Sequence, residues 1–167
     1  MKVKKIVFIR HGDYTNDTGY HLSDRGKGQI EKLALKLLSE FSPTNVKFIS
    51  SMANRAVESS EVLKRIWEDN GVELSFEKFY EIWSGNDAYD EQLRFLEEEQ
   101  KEIEVYSFSW LDKFIKDADC EVIVIVSHME FVEEFPMTLG FSDKTIDKGY
   151  ARVLDLDLKT DKEIRFW

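Results

Sequence analysis

Glu121-Val122-Ile123-Val124-Ile125-Val126-Ser127-His128 is the stretch that decides the fold. Five consecutive β-branched residues without a charge read as a strand buried on both faces, the pattern of a parallel sheet covered by helices. Val3 to Ile9 is a short, nearly continuous apolar run that also reads as a strand buried on both faces, and it ends at Arg10-His11-Gly12. Between them, Ser23 caps a helix expected from about Asp24 to Ser39, with Ile30, Leu33, Ala34, Leu37 and Leu38 on one face. Pro43 and Asn45 break the chain before a strand at Val46 to Ser50. A helix from Met52 to Asp69 turns Ala56, Leu63 and Trp67 inward and ends at Asn70-Gly71. Val72 to Phe79 reads as a third strand, followed by the loop Glu81-Ile82-Trp83-Ser84-Gly85-Asn86. Residues 88–118 read as two helices, the second with Phe108, Leu111, Phe114 and Ile115 in register.

Beyond the decisive strand, Phe131 to Leu139 reads as a short helix limited by Pro136. Val153 to Leu158 alternates leucine with Asp155 and Asp157, as a half-exposed edge strand does with its acids in solvent. A turn at Thr160-Asp161 then lets Glu163 to Trp167 return as a hairpin. Strands alternating with helices imply an α/β fold. The expectation is a three-layer α/β/α sandwich with a mainly parallel central sheet and an antiparallel edge hairpin, residues 1–167 forming a single domain.

The chain has 167 residues, of which 43% are hydrophobic, with 12 Phe, 6 Tyr and 4 Trp, enough to build a core. Only 2 Pro and 8 Gly exclude collagen-like and low-complexity readings. A net charge of -10 speaks against nucleic acid or an anionic membrane as partner, since both need clustered cations. One cysteine, Cys120, allows no internal disulfide and no cysteine-based zinc cluster, and it reads as a packing residue. The apolar run at the start is too short for a signal peptide and no stretch approaches transmembrane length, so a soluble, cytoplasmic protein is expected. The charge is also divided: residues 1–55 hold ten basic and five acidic side chains, and residues 56–167 hold thirteen and twenty-eight.

Sites in open α/β sheets form outside the carboxyl ends of the strands. Three such ends carry chemistry here: Arg10-His11-Gly12, then Ser50-Ser51 with Arg55 in the following helix turn, and Ser127-His128. Two imidazoles and two guanidiniums thus converge on one edge. Arginine forks match phosphate oxygens, and Gly12 lets the backbone approach closely. A neutral imidazole in that cradle can attack phosphorus while cations neutralise the charge on the equatorial oxygens. The second histidine, if protonated, adds another cation. His21 reads as a rim histidine, and Ser50, Ser51 and Ser127 lack the setting of a nucleophilic serine.

These residues resemble the histidine phosphatase superfamily, also called phosphoglycerate mutase-like. Its Arg-His-Gly signature stands at Arg10, His11 and Gly12; its second arginine segment looks like Ser50-Ser51-Met52-Ala53-Asn54-Arg55-Ala56; its second histidine looks like Val126-Ser127-His128. Leu22-Ser23 through Gly26 to Gln29 is similar to the opening of its first helix. The resemblance implies a covalent mechanism with no metal or other cofactor. By it, His11 is the nucleophile, Arg10, Arg55 and His128 hold the phosphoryl group, and a carboxylic acid protonates the leaving oxygen. Glu81 is the first candidate for that acid and Asp13 the second. The chain departs from the pattern where Met52-Ala53 replaces a proline and Met129-Glu130 replaces a glycine, and the phosphate contact of an asparagine does not transfer to Asn16.

Mutases of the superfamily are longer between the third strand and the second histidine, and they take polyanionic substrates. Glu130, Glu133 and Glu134 beside His128 would repel those. The expected activity is therefore phosphatase, on a lightly charged phosphomonoester or a phosphohistidine, with a small phosphorylated molecule or a phosphoprotein as substrate. Mutase-type transfer and a catalytically silent phosphate-binding module are the alternatives.

Overall fold

The computed structural model describes residues 3–42, 44–83 and 107–167. The expected helix within 88–106 lies outside the described residues, as do Pro43 and the loop positions Ser84, Gly85 and Asn86. In chain order the elements are β1 (Lys5–Arg10), α1 (Asp24–Glu40), β2 (Val46–Ser51), α2 (Asn54–Asp69), β3 (Leu74–Phe79), α3 (Phe108–Asp117), β4 (Val122–Ser127), α4 (Met129–Glu133), α5 (Phe135–Thr138), β5 (Ala151–Asp155) and β6 (Thr160–Ile164).

One mixed sheet runs β3-β2-β4-β1-β5-β6. The first four strands in that order are parallel to one another, while β5 is antiparallel to β1 and β6 antiparallel to β5. β1 and β4 are the two runs read as doubly buried. Their side chains alternate between two cores, one on each side of the sheet. Val7, Ile9, Val122, Val124 and Val126 pack with residues of α1 and α2. Ile6, Phe8, Ile123 and Ile125 pack with Leu111, Ile115, Phe131 and Phe135 from α3 to α5. The layers are thus helices, sheet, helices, an α/β fold. Trp67 locks α2 to α1, fully buried with its indole N–H donating to the Ala34 carbonyl at 3.2 Å.

Helix α1 starts where the sequence placed it, with the Ser23 hydroxyl accepting from the Gly26 amide at 3.0 Å. Strands β1 and β3 each begin two residues later than read from pattern, and α2 begins at Asn54 rather than Met52, since Ala53 is its N-cap. The helix read over Phe131 to Leu139 begins earlier, at Met129, and is two short pieces; Pro136 opens the second rather than ending the first.

The hairpin is displaced from its expected register. β5 ends at Asp155 and the chain turns through Leu156–Lys159, Lys159 adopting a positive φ of 56°. Asp155 is not a solvent-facing strand residue. It is buried, pairs with Lys5 at 2.8 Å, and accepts the amides of Asp157 and Leu158 to close the turn. Those acceptor bonds explain why an acid sits there. Arg152 of β5, fully buried, donates to the carbonyls of Val132, Glu133 and Ser142 and to the Asp161 carboxylate. It ties the segment after β4 to the hairpin and so fixes the loop that precedes β5.

Candidate phosphoryl-transfer site

The antiparallel approach of β5 matters because its entry lies beside the exit of β1. The Arg10 amide donates to Tyr150 and the Gly149 amide to the carbonyls of Arg10 and His11. On the other side, the His11 amide donates to Ser127, continuing the ladder between β1 and β4. Arg10, His11, Arg55 and His128 are brought together at this edge, as the sequence reading expected.

His11 and His128 are both almost fully buried, with ring centroids 5.2 Å apart in an edge-on arrangement. The Arg55 Nε–H donates to His11 Nε2 at 3.2 Å. A guanidinium can only donate, so Nε2 must hold a lone pair, and the ring proton sits on Nδ1, which donates to the Gly12 carbonyl at 2.9 Å. The second histidine follows the same logic. Arg55 Nη2 faces His128 Nδ1 at 3.5 Å, so His128 Nε2 carries the proton and donates to the Ser51 hydroxyl at 2.9 Å.

Burial, aided by the charges of Arg55, Arg10 and Lys148, pushes His11 down to about 3 despite the bond to Gly12. Burial and then the charges of His11, Arg55 and Arg10 hold His128 well below the usual imidazole range. Both rings are neutral at pH 7. The condition under which the second histidine adds a cation, its protonation, is not met in the free site, because an imidazolium there would be desolvated among cations.

Arg10 enters from the end of β1, its Nη1 donating to the Ile146 carbonyl at 2.9 Å. Its Nε is buried and has no hydrogen-bond partner among the described residues. Such a donor costs free energy unless something accepts from it, and an anion would. Arg55 is held from behind by Ser59, whose hydroxyl donates to the Arg55 carbonyl at 2.6 Å and accepts the Gly12 amide at 3.1 Å. Gly12 therefore does not present its N–H to a ligand. Its missing side chain serves packing instead, since a Cβ would stand 2.7 Å from the Gly26 carbonyl.

The two candidate acids differ sharply. Asp13 Oδ2 is 3.0 Å from both Arg25 Nε and Gln29 Nε2, so its carboxylate is engaged by two donors away from the histidines. Glu81 follows β3, partly buried, where its carbonyl accepts the Ser107 amide and the next carbonyl, that of Ile82, accepts the Ser127 hydroxyl at 2.7 Å. The Glu81 segment is thereby tied to the end of β4, one residue from His128. Of the acids read as lining the mouth, Glu133 is turned onto the Ile146 amide at 2.9 Å. His21 is an exposed rim residue paired with Glu58 at 2.5 Å, and Glu58 also accepts the Leu22 amide. Cys120 is a buried free thiol.

Sequence reading missed Tyr14 and Lys148. The Tyr14 ring lies 4.9 Å from the Arg55 guanidinium and 5.3 Å from the His11 ring, and the Lys148 ammonium lies 4.4 Å from its centroid. An aromatic two residues beyond Gly12 was a usable signal. Lys148 was not findable without knowing that β5 enters beside β1. Among the described residues, no group of three or more His, Cys, Asp or Glu side chains is arranged to hold a metal ion, and no helix is long and apolar enough to cross a membrane.

No family model matches the chain, and no curated protein matches it in sequence. Solved structures do. The protein histidine phosphatase SixA in complex with tungstate superposes with a TM-score of 0.65 at 16% identity, covering 97% of each chain. A mycobacterial glucosyl-3-phosphoglycerate phosphatase in complex with VO3 gives 0.60 at 14% identity, over 98% of this chain and 97% of that one. The Thermus thermophilus protein TTHB049 gives 0.55 at 18%, over 90% and 93%. The chain has the fold of these proteins, in keeping with the resemblance carried by Arg10-His11-Gly12.

Proposed function

We propose that the protein is a histidine phosphatase, hydrolysing a phosphomonoester or a phosphohistidine through a phosphoenzyme on His11. The observation that carries this reading is the His11 Nε2 lone pair, held on a neutral, buried ring directly beneath Arg55. A phosphate dianion entering the site draws the donors of Arg55 and the vacant Nε–H of Arg10 onto its oxygens, and this frees Nε2 to attack phosphorus. The N–P bond forms as the P–O or P–N bond to the leaving group breaks, and Glu81 delivers a proton to the departing atom. Water then attacks the phosphohistidine and gives its proton to the Glu81 carboxylate, and the N–P bond breaks to restore neutral His11. His128 is neutral in the free site and gains a proton only when the anion reverses its electrostatic surroundings.

The fold shared with phosphatases that bind tungstate and vanadate supports the same reading. The test is hydrolysis of 4-nitrophenyl phosphate with a chelator present, compared with His11→Ala. Turnover by the parent and none by the variant is expected, together with an acid-labile, alkali-stable phosphoenzyme after a rapid quench. A folded parent that releases no product between pH 5 and pH 8 would falsify the proposal.

A further inference from the structure

A cavity of about 390 Å³ opens beside the phosphoryl site and has no part in the chemistry above. Arg10 and Lys148 stand at its border with the site, and Arg25, Tyr150, Phe166 and Trp167 line more of it. The three aromatic rings meet edge to face, with centroids 5.0–5.5 Å apart, and give the cavity an apolar wall. Its acids do not neutralise the lysine. Asp13 is held by Arg25 and Gln29, and Asp147 is exposed. Among the described residues Lys148 makes no ion pair. Its ammonium rests over the Tyr14 ring at 4.4 Å, and it acts on His11 less than Arg55 and Arg10 do.

A half-buried lysine lying over an aromatic ring, without a counterion and set back from the reacting centre, is placed for an anion that arrives with the ligand. Resting on the phosphatase reading above, we propose that this cavity receives the leaving group and that Lys148 binds an anionic group carried on it, a carboxylate or a second phosphate. The aromatic wall suits a flat or apolar body between the two anions. The substrate is then more highly charged than the net charge of -10 suggested, because Arg10 and Lys148 face this side and Glu133 is committed to the Ile146 amide.

The experiment compares kcat/KM for 4-nitrophenyl phosphate with that for its ring-carboxylated analogue. The parent is expected to prefer the carboxylated ester by about ten-fold, the scale of one charge-assisted hydrogen bond. Lys148→Met should bring that ratio to about one, and Lys148→Arg should keep most of it. An equal rate on both esters in the parent, or a ratio that survives Lys148→Met, overturns the proposal. If neither ester is hydrolysed, the phosphatase reading fails by itself. The cavity is then read by calorimetric titration of phenylphosphonate and carboxyphenylphosphonate. Tighter binding of the carboxylated ligand, lost in Lys148→Met, supports the proposal; equal affinity, or no binding of either, overturns it.

Discussion

Arg55 donates its Nε–H to His11 Nε2 across 3.2 Å, so a guanidinium occupies the lone pair of the proposed nucleophile in the free protein. This contact fixes the tautomer of His11 with Nε2 unprotonated, and in the proposed mechanism it is exchanged for phosphate oxygens before reaction. Arg55→Met should therefore lower kcat/KM for 4-nitrophenyl phosphate about 10²–10³-fold, the usual effect of removing one charged donor to the developing oxyanion. A loss smaller than ten-fold in a folded variant would contradict the role.

The two buried imidazoles should be visible in solution. Imidazole nitrogen NMR is expected to show His11 as the Nδ1–H tautomer and His128 as the Nε2–H tautomer, with no titration near pH 6.5 while the protein is folded. Adding inorganic phosphate should raise the pH at which His128 protonates. A ring that titrates normally in the free protein would count against the geometry.

Stability carries the same signature. Both histidines have folded-state values below 6.5, so the unfolded chain binds more protons in acid. Their contribution is constant above pH 6.5 and becomes progressively unfavourable as pH falls from there toward 3. Urea midpoints should drop between pH 7 and pH 5, and drop less in His11→Asn. An identical pH dependence in that variant would remove His11 as a cause.

Glu81→Gln should slow esters with poor leaving groups far more than 4-nitrophenyl phosphate, whose leaving group scarcely needs a proton. Asp13→Asn should show no such dependence and act instead through its Arg25 and Gln29 contacts. Equal losses on both kinds of ester in Glu81→Gln would end its assignment as the acid.

Two glycines of α1 make a matched pair. A Cβ on Gly26 would stand 2.0 Å from the Asp13 carbonyl, a backbone atom that cannot rotate away, whereas one on Gly28 would meet nothing within 4 Å. Gly26→Ala should cost about 3 kcal/mol by overpacking. Gly28→Ala should gain about 0.5–1 kcal/mol from helix propensity. Urea titration at constant pH measures both.

The sheet core and the clustering of Arg10, His11, Arg55 and His128 were legible because they lie in local signals: continuous apolar runs, and strand ends that bear or closely precede histidine or arginine. The hairpin register was misread because the alternation Leu154, Leu156, Leu158 mimics a strand. Asp155 leaves that pattern to bond Lys5 and close a turn, which depends on a strand 150 residues away. The role of Gly12 depended on tertiary partners, Gly26 and Ser59, in the same way. Lys148 and the cavity beside it required the antiparallel placement of β5, which no stretch of sequence announces.

That placement has a price in time. β1 leads directly into His11, the proposed nucleophile, yet its two neighbours in the sheet are residues 122–127 and 151–155. At a synthesis rate of about 5–20 residues per second, this strand waits roughly 6–30 s with both of its edges bare. Through that interval the apolar stretch Ile6 to Ile9, flanked by Lys5 and Arg10, offers unpaired N–H and C=O rows to any passing chain, the condition that invites strand-to-strand aggregation or chaperone capture. Assembly of the cluster of Arg10, His11, Arg55 and His128 is thus a late event in the life of each nascent molecule, and no N-terminal fragment that stops before His128 can have it.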